Sequence, residues 1–223
     1  MSDNLALWSA IEKTPPDQTK PITGKAYSGT SPKPYYLVRK ATETFGPVGI
    51  GWGYCIVNER IEDAAGEKLH IALVRVWYIW GGKRGEVEHI GATPFSGTRK
   101  SGAGYLDEDA PKKSVTDALV KALSMIGFAG DIFIGRYDDS KYVSDLRDET
   151  RQAAANDGAS RLVAEYQDRI RAIANPDALV EWWNSAERKK ATRDFGLNQS
   201  EMDVLKDAVI ARKAELDGKV RVA

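Results

Sequence analysis

Cysteine and histidine are nearly missing from this sequence, which has one cysteine, Cys55, and two histidines, His70 and His89, in 223 residues. One cysteine excludes an internal disulfide and any cysteine-based zinc site. Two histidines leave little material for a histidine-rich metal centre. No apolar run approaches the ~20 residues of a membrane span, and MSDNLALWSAIEK lacks a basic stretch followed by an apolar core. Neither a transmembrane segment nor a secretory signal is therefore expected, and the cytoplasm is the expected compartment. Excess charge of one sign is also absent: 32 basic and 32 acidic side chains give a net charge of zero. That balance argues against indiscriminate coating of nucleic acid but leaves room for a local basic groove. The 42% apolar and 29% charged residues suit a soluble globular chain.

Glycine is concentrated. FGPVGIGWGY, residues 45–54, has glycine at positions 49, 51 and 53. A phosphate-cradling loop would need its glycines at the start of a helix, with a Lys-Ser or Lys-Thr following; neither condition holds. Spacing of two predicts instead a strand with one bare face, against which the helix starting near Pro111 packs, while Trp52 and Tyr54 turn the other way. On that reading Trp52 is also able to approach a ligand, and Cys55 is a core residue.

The first thirty or so residues, rich in Pro, Thr, Gly and Lys, predict an extended arm after one short amphipathic helix at residues 5–11. PYYLVRKATET predicts a helix with Pro34 at its start, stopped by Gly46-Pro47. Strand-like runs follow at 48–58 and 68–80 and from residue 86 to about 92. NERIEDAAGEK links the first two, and GGKRG makes a hairpin turn between the second and third. The run 68–80 is apolar on both faces, so it is covered either by its own helix and a neighbouring subunit or by a plain two-layer core. A helix from about Pro111, capped by Asp109 and stopped by Gly127, has Val115, Ala118, Leu119, Ala122, Leu123 and Ile126 at three- and four-residue spacing. FAGDIFIGRYDDSKYV predicts a further short extended piece.

Beyond residue 145 the composition changes. RDETRQAAANDGAS is a linker or an exposed helix, and helical patterns follow at 160–174, 176–193 and 200–216. Trp182-Trp183 is either the core of this unit or an anchor for a partner. The expected organisation is an arm (1–33), an α+β core (34–145) and a helical C-terminal unit (146–223).

Few residues suit bond chemistry. Asp131, Asp138 and Asp139 form an acidic cluster that either holds magnesium, as in a nuclease, or makes a polar turn. His89 on a strand is either a base or a satisfied, exposed side chain. The basic residues are better placed, with Lys83-Arg84 at a hairpin tip, Arg99-Lys100 in a glycine-flanked loop, and Lys112-Lys113 in the first turn of a helix. Positive charge in a first turn opposes the helix dipole. That position is explained by a nearby anion, or by a solvated charge run.

RKATETFGPVGIGWGY, then a long strand hairpin, then GAGYLDEDAPKKSVTDALVKALSMIGFAGDIFIGRYDDSKYV, resembles the annealing core of the Rad-fifty-two-like superfamily. The resemblance is greater to the phage single-strand annealing proteins of that group. It covers residues 34–143, and SVTDALVKALSMIG (114–127) is its most specific part. It implies a β-β-β-α core with an antiparallel sheet packed on a helix, assembled into rings or helical filaments. It implies ATP-independent binding of single-stranded DNA in a basic outer groove and annealing of complementary strands in phage recombination, with no cofactor and no bond chemistry. Lys121 falls at one of the family's basic positions, whereas Val120 and Ser124 replace basic residues of the eukaryotic pattern. Lys112, Lys113, Arg99 and Lys100, with Arg39 in the preceding helix, are the candidates for the missing charge. The C-terminal unit lies outside the resemblance and is the candidate attachment point for a single-strand-binding protein or an exonuclease. The alternatives from other classes are the metal-dependent nuclease and a non-catalytic interaction scaffold.

Overall fold

The computed structural model of the chain describes residues 4–23, 28–99 and 101–220. It is a mixed α+β protein that divides into two compact units, Met1–Leu146 and Arg147–Ala223; each is taken by itself.

The first unit opens with α1 (Ala6–Ile11) and a 3-10 turn at Pro16–Gln18, followed by a two-stranded antiparallel ribbon of β1 (Thr19–Pro21) and β2 (Thr30–Pro32). Helix α2 (Pro34–Phe45) follows, with proline in its first turn and Gly46 at φ 100° ending it. The sheet consists of β3 (Trp52–Ala64), β4 (Glu67–Trp80), β5 (Lys83–Thr98) and the short β6 (Gly104–Leu106), antiparallel throughout and in that order. Helix α3 (Ala110–Ile126) lies across β4 and β5, and α4 (Gly130–Phe133) and a 3-10 turn at Arg136–Asp138 follow it.

The packing of α3 follows from residue size. Ala110, Ser114, Ala118 and Ala122 recur every four residues and are fully buried, so one ridge of the helix carries only small side chains. It meets the strands at Ala72 and Gly91, which are paired across β4 and β5. A Cβ on Gly91 would fall 2.1 Å from the Ser114 carbonyl oxygen and 2.5 Å from the Ala118 nitrogen. Ser114 Oγ lies 2.9 Å from the carbonyl oxygens of both Ala110 and His70, tying helix to sheet. Around this contact Leu37, Trp52, Val74, Val76, Leu123 and Phe128 form the core.

Several expectations are revised. The glycines of residues 49–53 do not form one strand face. Gly49 turns the chain at φ 86°, Gly51 lies where a Cβ would strike the Phe45 carbonyl, and only Gly53 belongs to β3, beneath Trp77. Helix α3 packs on Gly91 instead. Trp52 points inward, almost fully buried, and donates to Thr42 Oγ1 at 3.2 Å. The polar link NERIEDAAGEK is absorbed into the strands, which turn tightly at Ala65-Gly66 with both residues at positive φ. It reads as a loop because β3 is exposed from Tyr54 onward and so has no buried side to alternate. Cys55 is accordingly exposed rather than a core residue. Strand β5 runs to Thr98, past Pro94, because the register shifts by one residue beside that proline. The piece after Gly127 is helical rather than extended, beginning with Ala129 in the left-handed region.

The expected arm is tied down. Ile11 and Thr14 are buried, the Thr14 N–H donates to Asp131 at 2.8 Å, and Lys40 Nζ donates to the carbonyls of Ile11 and Lys13. Strand β4 has one face under α3; on the other, Arg75 pairs with Glu88 and Arg84 stacks on Trp77.

Helix α5 (Ser140–Ala172) begins in the first unit and includes RDETRQAAANDGAS, which is thus the exposed helix rather than the linker of the two readings. In the second unit it is followed by α6 (Pro176–Asn184), α7 (Ala186–Asp194) and α8 (Gln199–Val220). The pattern at 176–193 is thus two helices, broken where Ser185 Oγ caps α7 by accepting from the Arg188 N–H. Trp182 is a core residue, edge-on to Tyr166 at 5.2 Å, among Leu162, Ile170, Leu179 and Leu205.

The Gly91 contact makes a direct prediction. Gly91→Ala forces apart two backbones that have no room to give, and is expected to cost about 1–3 kcal/mol or more. Gly104→Ala, whose added Cβ would meet its nearest neighbour at 3.9 Å, should unfold close to wild type. Urea denaturation of both variants checks the pair.

Candidate nucleic-acid interface

The outward stripe of α3 carries the basic residues. Lys112 and Lys113 lie in its first turn, Thr116 and Asp117 one turn on, and Val120 and Lys121 one turn further, the spacing that puts residues on one helical face. The β1–β2 ribbon stands beside this face and makes a groove of it. At one end Lys20, Ser31 and Pro32 face Lys112, Lys113 and Asp117 across about 540 Å³. At the other, Thr30, Ser31 and Pro32 face Asp117, Val120 and Lys121 across about 410 Å³. Ser31, Pro32, Asp117 and Val120 line both, so the two stretches are continuous. Among the described residues the lining has four lysines (20, 112, 113 and 121) against two aspartates (109 and 117), a net positive path.

The structure thus brings Lys112, Lys113 and Lys121 together. It adds Lys20, which the sequence did not single out: in a Thr- and Pro-rich segment nothing in the local pattern shows that the chain doubles back over α3. Arg39 and Arg99 do not line this groove. Arg39 projects from α2, paired with Glu43 at 2.7 Å, and Arg99 sits in the exposed turn after β5, bonded through its N–H to the Ala103 carbonyl. Lys100 lies outside the described residues.

The first-turn lysines have resident anions. Lys112 Nζ is 3.0 Å from Asp109 and Lys113 Nζ is 2.6 Å from Asp107. These carboxylates offset the unfavourable placement of positive charge at the positive end of the helix dipole. Asp109 makes no side-chain cap; its N–H instead donates to Asp107 Oδ1. The mutual hydrogen bond holds the Asp107 carboxyl below the usual carboxylate range and raises Lys113. Lys121 is held differently, with its ammonium 4.7 Å from the centroid of the Phe133 ring.

The acidic cluster does not form a metal site. Asp131 is fully buried and accepts from the Thr14 N–H, the Ile132 N–H and, at 3.0 Å, the Tyr142 hydroxyl. Burial first, then the nearby Asp131 charge, pushes Tyr142 up to about 12 and raises Tyr36 and Tyr137 as well. Asp139 accepts from the Lys141 N–H at the start of α5. Among the described residues no group of three or more His, Cys, Asp or Glu side chains is arranged to hold a metal ion. His89 is exposed, its Nδ1 accepting from the Ile90 N–H. Among the described residues, no helix is long and apolar enough to cross a membrane.

No protein-family model matches this chain, and no curated protein matches its sequence.

The Asp107–Lys113 pair has a defined pH signature. Because the folded Asp107 value is depressed, the pair is complete above the ordinary carboxylate range and is lost only as pH falls through that lower value. A carboxyl-detected NMR titration should show Asp107 titrating below exposed aspartates, and Lys113→Ala should return it to the ordinary range.

Proposed function

We propose that this protein binds single-stranded DNA along the α3 groove and anneals complementary strands without ATP. The observation that carries this reading is the convergence of Lys20, Lys112, Lys113 and Lys121 on one continuous groove beside a β-ribbon. Lysines spaced along an open channel neutralise a phosphate backbone whatever its sequence, which is what two strands need in order to approach each other. Annealing brings strands together and breaks no bond, so it asks for no metal or nucleophile. The resemblance of residues 34–143 to phage single-strand annealing proteins supports the same role in recombination, in a host cytoplasm.

A chain with zero net charge holds DNA through few contacts, so a repeated array of grooves in a ring or helical filament is part of the proposal. Among the described residues β3 has no strand on its outer side, and it exposes Ile56, Val57 and Ile61. Among the described residues β5 is paired with β6 only from Ser96 to Thr98. Two such edges at opposite sides of one sheet suit head-to-tail continuation between protomers. Strand β4 is central, so only its open face remains for the contact expected of it. The second unit is left for a single-strand-binding protein or an exonuclease.

Two measurements test this. Complementary labelled oligonucleotides mixed with the protein and EDTA, without nucleotide, should form duplex faster than alone. Lys112→Ala/Lys113→Ala/Lys121→Ala should weaken binding to all sequences and flatten its salt dependence. An unaccelerated reaction would falsify annealing, and a wild-type salt series for the triple variant would discard the groove. Light scattering of the full chain, with and without single-stranded DNA, should report a multimer that Ile56→Lys weakens; a strict monomer in both conditions removes the assembly.

A further inference from the structure

The basic groove does not end at Lys112 and Lys113. Pro34 and Thr116, which line it there, also line a second cavity of about 200 Å³ between α2, α3 and the start of β3. The floor of this cavity is apolar, made by Val38, Trp52 and Leu119, and its rim includes Tyr35 and Tyr54. Among the described residues the lining contains no charged side chain, so it suits a neutral, flat, apolar-faced group rather than a phosphate. Tyr35 is 87% exposed and Tyr54 46% exposed. An aromatic ring with almost its whole surface in water contributes little to the core of its own chain, and a ring beside an apolar cleft is poised to stack.

We infer that this cavity receives a nucleobase of the strand whose phosphates follow the lysine groove, with Tyr35 and Tyr54 as stacking partners. The inference rests on the proposed DNA path and gives it a means of selecting single strands. A base in a duplex is already paired and stacked and cannot enter, whereas an unpaired base is free to turn into the cleft. Stacking is indifferent to which base is present, since every base has a π-face, so the site adds affinity without sequence preference. The base held there is withheld from pairing until the strand moves, so each protomer meters how many bases are offered to the incoming strand.

The test uses the full chain and fluorescence anisotropy with three ligands: oligothymidylate, an abasic oligonucleotide of the same length, and a duplex. Wild type should bind oligothymidylate more tightly than the abasic strand. Tyr35→Ala/Tyr54→Ala should lose about fivefold or more for oligothymidylate while keeping its abasic affinity, and Tyr35→Phe should behave as wild type. Equal wild-type affinity for oligothymidylate and abasic strand overturns the base site while leaving the lysine groove intact. An equal loss on both ligands by the alanine variant also overturns it. Wild type binding none of the three removes the groove and the base site together. An alanine variant that instead changes the oligomeric state shows that a second copy of the chain covers the cavity.

Discussion

The first unit depends on how closely the backbone of α3 approaches the sheet. Ala110, Ser114, Ala118 and Ala122 give the helix a ridge with almost no side chain, and Gly91 gives the strand a hollow with none. Only this pairing of small residues lets Ser114 reach a strand carbonyl while staying bonded to its own helix. Because the ridge fixes the rotation of α3, it also fixes what faces away. The lysines at 112, 113 and 121 are on the outer side because the alanines and the serine occupy the inner one.

The opposite wall of the groove depends on a buried charge. Asp131 sits without solvent contact and gathers the Thr14 N–H and the Tyr142 hydroxyl, with the half-buried Lys40 ammonium reaching the neighbouring carbonyls. Burial lowers the pKa of Lys40 even though the Asp131 charge opposes the shift. A carboxylate in such a place is tolerable only when its lone pairs are satisfied, and removing one partner leaves the rest uncompensated. The segment it holds leads directly into the β1–β2 ribbon. A residue that the sequence offered as a metal ligand is therefore part of the scaffold of the groove.

Much of this architecture was legible in the chain. The α3 span, its Gly127 stop, the Gly81-Gly82 hairpin and the helical tail follow from periodicity and turn chemistry that act over a few residues. The ribbon over α3, the buried state of Asp131 and the exposure of β3 were not legible, because each depends on contacts between residues far apart: Thr14 and Asp131 are 117 positions apart. The glycine series misled for a related reason. Alternation by two suggests one face, but Gly49, Gly51 and Gly53 each answer a different local demand: a turn, a backbone contact with α2, and the ring of Trp77. At the candidate site the lysines of α3 could be named from sequence, while Asp109 read as a helix cap rather than a lysine partner, Asp107 as a loop residue and Lys20 as part of the arm.

Those carboxylate partners change how any polyanion would be accounted for. When a lysine in open solvent neutralises a phosphate, the cations condensed around that phosphate are released. Lys112 and Lys113 begin already matched to Asp109 and Asp107, so an arriving phosphate displaces a tethered carboxylate, which then takes up cations of its own from the medium. Fewer free ions enter bulk water per contact formed. The slope of affinity against salt would then understate the number of phosphates touched, and Asp107, no longer held acidic by Lys113, would take up a proton more readily as the groove fills.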